Sequence, residues 1–307
     1  KKSLFDGFSI VEEKGEQNDS TIRLAGGGLS PDLPPGQNFE LNDWYLNTPE
    51  DGGDGRSMRI SERELVSGYQ NKKYFYTADD GGMVFRATIA GARTSKNTRY
   101  TRTELREMLR RGNTSINTRE EDGSPNKNNW VFSSAPPEAQ KLSGGVDGIL
   151  KATLAVNHVT TTGEPRDIGQ VVIGQIHAKH NEPVRLYYRK LPHNEKGSIF
   201  AAHETANGDD TWFEIIGSRS RSAKNPVDGI ALNEKFSYEI KAAGHTLTVT
   251  VSQEDTVLGS TTIDMTDSGY DVQDDYMYFK AGVYTQNDTG DPEDYDQATF
   301  YFLENRH

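Results

Sequence analysis

The sequence predicts an all-β protein built from packed antiparallel sheets. Apolar residues recur at every second position in many short segments. Gly, Pro, Asn and Asp clusters separate those segments, and no long stretch keeps a helical period. Residues 1–36 are polar, contain Gly26-Gly27-Gly28 and end in Pro34-Pro35-Gly36, which reads as a leader with at most one short strand. The domain proper is expected over 37–307. KYFYTADDGGMVFRATI predicts two strands around a turn at Asp79-Asp80-Gly81-Gly82. GILKATLAVNHV alternates Leu150, Ala152, Leu154 and Val156 against Lys151, Thr153 and Asn157. KFSYEI and HTLTVTVSQ pair across Ala242-Ala243-Gly244, and TFYFLE closes the chain. Residues 113–129 and 285–297 read as polar loops. Strands of this kind stack as two sheets, each with one apolar face.

The totals exclude several classes. A length of 307 residues suits one large sandwich or barrel. The net charge of −12 argues against non-specific binding to nucleic acid or to an anionic membrane. No apolar run approaches the ~20 residues a membrane helix needs. With no cysteine there is neither a disulfide nor a thiolate metal site. The chain begins at Lys1 without a methionine, as a processed export signal or a trimmed chain would leave it. Export implies a secreted or periplasmic protein.

Three segments carry chemistry on one strand face. In YMYFKAGVYTQ, Tyr276, Tyr278, Lys280, Gly282, Tyr284 and Gln286 alternate with apolar Met277, Phe279, Ala281 and Val283. In VVIGQIHA, Val172, Gly174 and Ile176 alternate with Ile173, Gln175 and His177. RTELREMLRR has helical spacing of Leu105, Met108 and Leu109, and alone it reads as an amphipathic helix. As a strand it would present Arg102, Glu104 and Arg106 together, with the carboxylate orienting two guanidiniums. Side by side, the three faces would gather cationic and amide donors suited to a carboxylate, and an imidazole beside a phenol suited to proton transfer.

These segments, in this order, resemble the polysaccharide lyase family 7 alginate lyases. The family pattern Arg-(Ser/Thr)-Glu-Leu-Arg matches Arg102 through Arg106. Gln-(Ile/Val)-His matches Gln175-Ile176-His177, and Tyr-Phe-Lys-Ala-Gly-x-Tyr-x-Gln matches Tyr278 through Gln286. FELNDWYLNTP (39–49) resembles the family's opening strand. The resemblance implies a β-jelly roll of two curved antiparallel sheets over 37–307, a strand at 102–106, and a monomer without metal or cofactor. It also implies cleavage of alginate, a 1,4-linked mannuronate–guluronate chain, by β-elimination. The interval from Arg106 to Gln175 is longer than in compact family members, so extra loops are expected around the cleft.

In that chemistry Arg102, Gln175 and His177 grip the uronate carboxylate, and Tyr284 protonates the leaving oxygen. His177 serves as base for guluronate; Tyr284 does so for mannuronate, with Lys280 and the arginines expected to favour its phenolate. Glu104, Arg106, Tyr278, Lys280 and Gln286 complete the expected substrate-binding set, Glu104 chiefly as an arginine orienter. Arg93, Lys96, Arg99, Lys179, Arg185, Arg189 and Lys190 add positive charge near two motifs, and the acidic excess falls in apparent loops such as 50–54 and 288–296. One rival is a non-catalytic carbohydrate-binding module or lectin using Trp44, Trp130 or Trp212 as sugar platforms. A second, a jelly-roll glycoside hydrolase, needs paired carboxylates. No Glu-x-Asp-x-Glu strand motif is present to supply them.

Overall fold

The computed structural model describes residues 28–307. A short strand within the leader, if it falls in 1–27, lies outside the described residues. Leu29 packs against the core, and Asn38 exchanges hydrogen bonds with the Ser30 backbone. Helix α1 (Pro35–Asn38) spans the expected leader boundary.

The first strands are β1 (Trp44–Asp51), β2 (Ser57–Ile60), β3 (Phe75–Thr77), β4 (Met83–Thr88) and β5 (Arg102–Glu107). The middle of the chain forms β6 (Trp130–Val131), β7 (Gly145–Val146), β8 (Gly148–His158), β9 (Gln170–His177), β10 (Val184–Arg189) and β11 (Lys196–Glu204). The last third forms β12 (Asp210–Ile216), β13 (Ile230–Ala231), β14 (Phe236–Ala243), β15 (Thr246–Gln253), β16 (Thr256–Asp264), β17 (Tyr278–Thr285) and β18 (Tyr295–Arg306). The remaining helices among the described residues, α2 (Glu62–Val66) and α3 (Pro137–Leu142), are short.

Two large antiparallel sheets result. One runs β12-β11-β10-β9-β17-β5-β1-β2, with β13 added beside β11; the other runs β16-β15-β14-β8-β18-β4-β3. Their facing sides hold the core, in which Phe85 packs edge-on against both Phe75 and Phe300. Such rings add directional contacts to the burial of their apolar area. The predicted hairpins form, β3 with β4 and β14 with β15. RTELRE is a strand, as the resemblance implies, and its helical spacing is overridden by pairing on both edges, with β1 and with β17.

In β9 alternation fails. Ile173 does not share the face of Gln175 and His177; it packs in the core, and Val172 faces the other way. The cause is a bulge: Leu186 and Tyr187, adjacent in β10, pair with Gly174 and Val172 of β9. From the second sheet, the Tyr238 hydroxyl donates to the Ile173 carbonyl at 2.8 Å. A Cβ at position 174 would lie 2.6 Å from that hydroxyl oxygen, so only glycine fits. Gly282 answers the bulge on β17. Its φ of +140° and a Cβ that would sit 2.7 Å from the Thr103 carbonyl oxygen restrict it to glycine.

Candidate active site

Strands β9, β17 and β5 are neighbours, so the three polar faces form one surface. Lys280 pairs across with Arg106 on one side and Gln175 on the other. Tyr284 stands opposite Arg102, and Tyr278 opposite His177. The surface floors a cleft of ≈ 980 Å³. Eight Lys and Arg side chains line it against two carboxylates, Asp54 and Glu182. Local charge is therefore positive in a chain whose net charge is −12.

Glu104 is the anchor beneath this floor, 1% exposed. Its Oε1 accepts from Arg102 Nη1 at 2.9 Å and from Lys280 Nζ at 2.8 Å; its Oε2 accepts from Gln175 Nε2 at 2.8 Å. Burial pushes its carboxyl up, but Lys280, Arg102 and the hydrogen bonds from Lys280 and Gln175 outweigh that and hold it below the ordinary Glu range. Glu104 thus orients the donors and does not reach the cleft. Gln175, equally buried, gives its amide N–H to Glu104 and is not among the side chains that line the cleft. Lys280 is lowered, first by burial and then by Arg102, with Glu104 opposing.

Aromatic rings and guanidiniums alternate across the floor. His177 stacks on Tyr278 at 5.0 Å with planes 7° apart. Arg106 lies 3.9 Å from the Tyr278 ring centre on β17, and Arg59 lies 4.0 Å from that of Tyr45 on β1. Arg102 covers the Tyr284 ring at 3.9 Å. Rings held this way lose little rotamer freedom when a substrate arrives.

His177 and Tyr284 have opposite protonation tendencies. Burial first, then Lys280 and Arg102, drive His177 down to about 3, so its imidazole is neutral at working pH. Its Nδ1 sits against the Ala178 carbonyl oxygen, which sets Nδ1–H as the donor and leaves the Nε2 lone pair free to act. Glu182 Oε1 lies 3.4 Å from that Nε2. Tyr284 is raised, because burial outweighs the opposing pull of Arg102. The expected phenolate-favouring pull on Tyr284 is present from Arg102 but is outweighed by burial. The phenol they do lower is Tyr45, where Arg106, Arg59, Lys280 and Arg102 outweigh burial.

Of the expected set, Arg102, Arg106, His177, Tyr278, Lys280 and Tyr284 line this cleft. Gln286 lines a second hollow on the far side of Tyr284. The sequence reading missed Tyr45, Arg56, Arg59 and Arg119, all in the cleft lining. Tyr45 carried a usable signal, since it alternates with core residues Trp44 and Leu46. Arg119 arrives on the long loop after β5, in the interval where extra loops were expected. That loop is pinned by Arg110 Nε to Glu62 at 2.9 Å. Two of the three tryptophans considered as sugar platforms, Trp44 and Trp130, are core residues. Asp296, expected in a solvated acidic loop, is instead fully buried in β18.

A cationic cleft, a neutral imidazole and a protonated phenol on one sheet of a two-sheet β fold define a site for proton-transfer chemistry on a carboxylated chain. A family model described as alginate lyase matches residues 39–307. An alginate lyase of Klebsiella pneumoniae is 54% identical over 283 residues, covering 89% of this chain and 91% of the relative. A crystal structure of the alginate lyase from Klebsiella pneumoniae superposes with a TM-score of 0.85 at 53% identity, covering 89% of this chain and 98% of that one. The chain belongs to the alginate lyase family. An alginate lyase of polysaccharide lyase family 7 shares the fold, with a TM-score of 0.63 at 24% identity over 89% of this chain and 98% of that one.

Proposed function

We propose that the protein depolymerises alginate by β-elimination at 1,4-linked uronates and acts on guluronate-containing chains. The observation that carries the reading is the pairing of neutral His177 with protonated Tyr284 on the floor of a cationic cleft. Arg102 and Gln175, fixed by Glu104, meet the uronate carboxylate and stabilise the charge that develops on it. His177 Nε2 takes the C5 proton, the C4–C5 double bond forms and the C4–O bond breaks. The Tyr284 hydroxyl gives its proton to the leaving oxygen. The product carries a 4,5-unsaturated uronate at its new non-reducing end, and solvent returns the proton from imidazolium to phenolate.

This division of labour suits the anti arrangement of guluronate, with the base and the acid on different residues. In the free protein Tyr284 is poor as a base, because its proton is held more tightly than in an ordinary phenol. An arriving carboxylate adds negative charge beside His177 and so strengthens it as a base. Action on a polymer supports a secreted or periplasmic location. The test is incubation with polyguluronate and polymannuronate blocks, followed by ultraviolet absorbance of the unsaturated product. Rising absorbance with guluronate blocks is expected. New reducing ends without absorbance, or retention of polymer without either, would overturn the proposal.

A further inference from the structure

Beyond Tyr284 the same sheet carries a second hollow, of ≈ 510 Å³. Four arginines line it, Arg166, Arg189, Arg219 and Arg221, and no acidic side chain does. Arg166 has Asp167 at 3.5 Å. Among the described residues, the guanidiniums of Arg189, Arg219 and Arg221 form no ion pair, while the Arg219 backbone N–H donates to Glu214 Oε2 at 2.9 Å. That is unusual in a chain with 46 acidic residues and 34 basic ones. The Arg189 guanidinium is buried, donates to the Arg219 and Pro165 carbonyl oxygens at 3.3 Å, and keeps an Nε without a partner. Arg221 and Arg219 add to burial in making its charge costly, with Asp167 opposing them. Mutually repelling cations, one of them buried, are stabilised by an anion that arrives with a ligand.

The hollow also has an aromatic platform. Arg219 lies 3.9 Å over the ring of Trp212, and Trp212 packs beside Tyr187 at 5.4 Å and Phe200 at 6.0 Å. Tyr284 packs against this same aromatic cluster, so the platform begins where the catalytic floor ends. Gln286, two residues beyond Tyr284 and just past the end of β17, adds an amide, about 7 Å further along the chain.

We propose that this hollow is a distal subsite for a uronate of the same polysaccharide chain, its carboxylate held by Arg189, Arg219 and Arg221 and its ring resting on Trp212. The inference rests on the reading of the cleft as a polyuronate site. It makes the enzyme gain from substrates long enough to span both hollows.

The double variant Arg219→Gln/Arg221→Gln tests it, because both side chains are exposed and their loss spares the core. Compared with wild type, kcat/KM should fall about tenfold on polymer and less than twofold on a trisaccharide. Arg219→Lys/Arg221→Lys should recover most of the loss. Equal losses at every chain length, or no loss on polymer, would overturn the subsite and leave the lyase reading intact. A second readout does not need turnover. Of the three tryptophans only Trp212 is partly exposed, so its fluorescence should respond to a guluronate hexasaccharide in a Tyr284→Phe background. The response should vanish in Trp212→Phe and weaken in the double Gln variant. A response unchanged in the double Gln variant would also overturn the subsite. If no form of the protein makes unsaturated product, the lyase reading fails, and the fluorescence titration still decides the subsite.

Discussion

Replacing Glu104 with Gln removes the carboxylate that holds Arg102, Lys280 and Gln175 together, at 2.9, 2.8 and 2.8 Å. Each ion pair at that distance is worth on the order of 6 kcal/mol of gross attraction at an effective dielectric of ~20. Most of that is cancelled by the cost of burying the charges, and breaking such a pair by removing one partner costs about 3–5 kcal/mol. Lys280 softens the loss. Burial and Arg102 already lower it, and without Glu104 it can shed its proton. The lower half of that range is therefore expected, a fall in Tm of about 5–6 °C for a domain of this size. The catalytic loss should be larger. Arg102 and Gln175 would no longer be preorganised, and kcat should fall by about a hundredfold, the scale of one lost transition-state donor. Thermal unfolding and initial rates of ultraviolet absorbance on polyguluronate measure the two effects. Glu104→Asp keeps the charge and should fall between. A kcat within threefold of wild type would refute the positioning role, even with Tm lowered. An unchanged Tm would refute the buried-anchor account as well.

Tyr284→Phe should reduce kcat at least a hundredfold while far-ultraviolet circular dichroism and substrate binding stay near wild type, since general acid catalysis typically contributes about 10²–10⁴; retention of a tenth of kcat would remove Tyr284 as the acid. His177→Ala should harm cleavage of guluronate blocks more than of mannuronate blocks, and equal losses would mean that His177 mainly grips the carboxylate. Ile176→Val should shift block preference only modestly, because Ile176 is buried in the core and one methylene acts there through packing; complete reversal in block assays would refute that. Asp296, pushed up to about 7 by burial and with Oδ2 unpartnered, should make stability fall with rising pH. Its neutral form stabilises fully below the unfolded value near ~3.9, and the contribution is lost as pH rises through about 7. In denaturant unfolding, the stability of Asp296→Asn relative to wild type should therefore rise by about 2–3 kcal/mol from pH 5 to pH 8. A pH-independent difference would contradict the assignment.

Most of the fold was legible because alternation is enforced by burial. Met277, Phe279, Ala281 and Val283 are all core residues, so a one-residue slip of β17 would expose the whole set. What alternation cannot show is a bulge. Ile173 looks like a neighbour of Gln175 until Tyr238, 65 residues away in sequence, claims its carbonyl. The motif residues were found because each motif is contiguous on one strand. Arg59 and Arg119 were not, since β2 and the loop after β5 reach the cleft only through tertiary pairing. The buried state of Asp296 was hidden for the opposite reason. It sits in an acidic run with Asp291, Glu293 and Asp294, but β18 has already begun at Tyr295 and turns its side chain inward.

The protonation pattern follows from how charge is layered across the sheet. Glu104 lies below, the cations lie at the level of the floor, and the imidazole and phenol stand among them. For His177, cations and burial act in the same direction, since both disfavour a positive ring. For Tyr284 they oppose, since the cation Arg102 favours the phenolate and burial disfavours it, and burial wins. In the proposed mechanism, one arrangement therefore leaves His177 neutral and Tyr284 protonated before substrate arrives. There a bound carboxylate would shift both groups in the same sense, raising His177 toward the strength a base needs and holding the Tyr284 proton for the leaving oxygen. Moving Glu104 up to the surface would reverse the sign of the cleft and repel the polyanion. Its place beneath the floor lets an acidic chain present a cationic site.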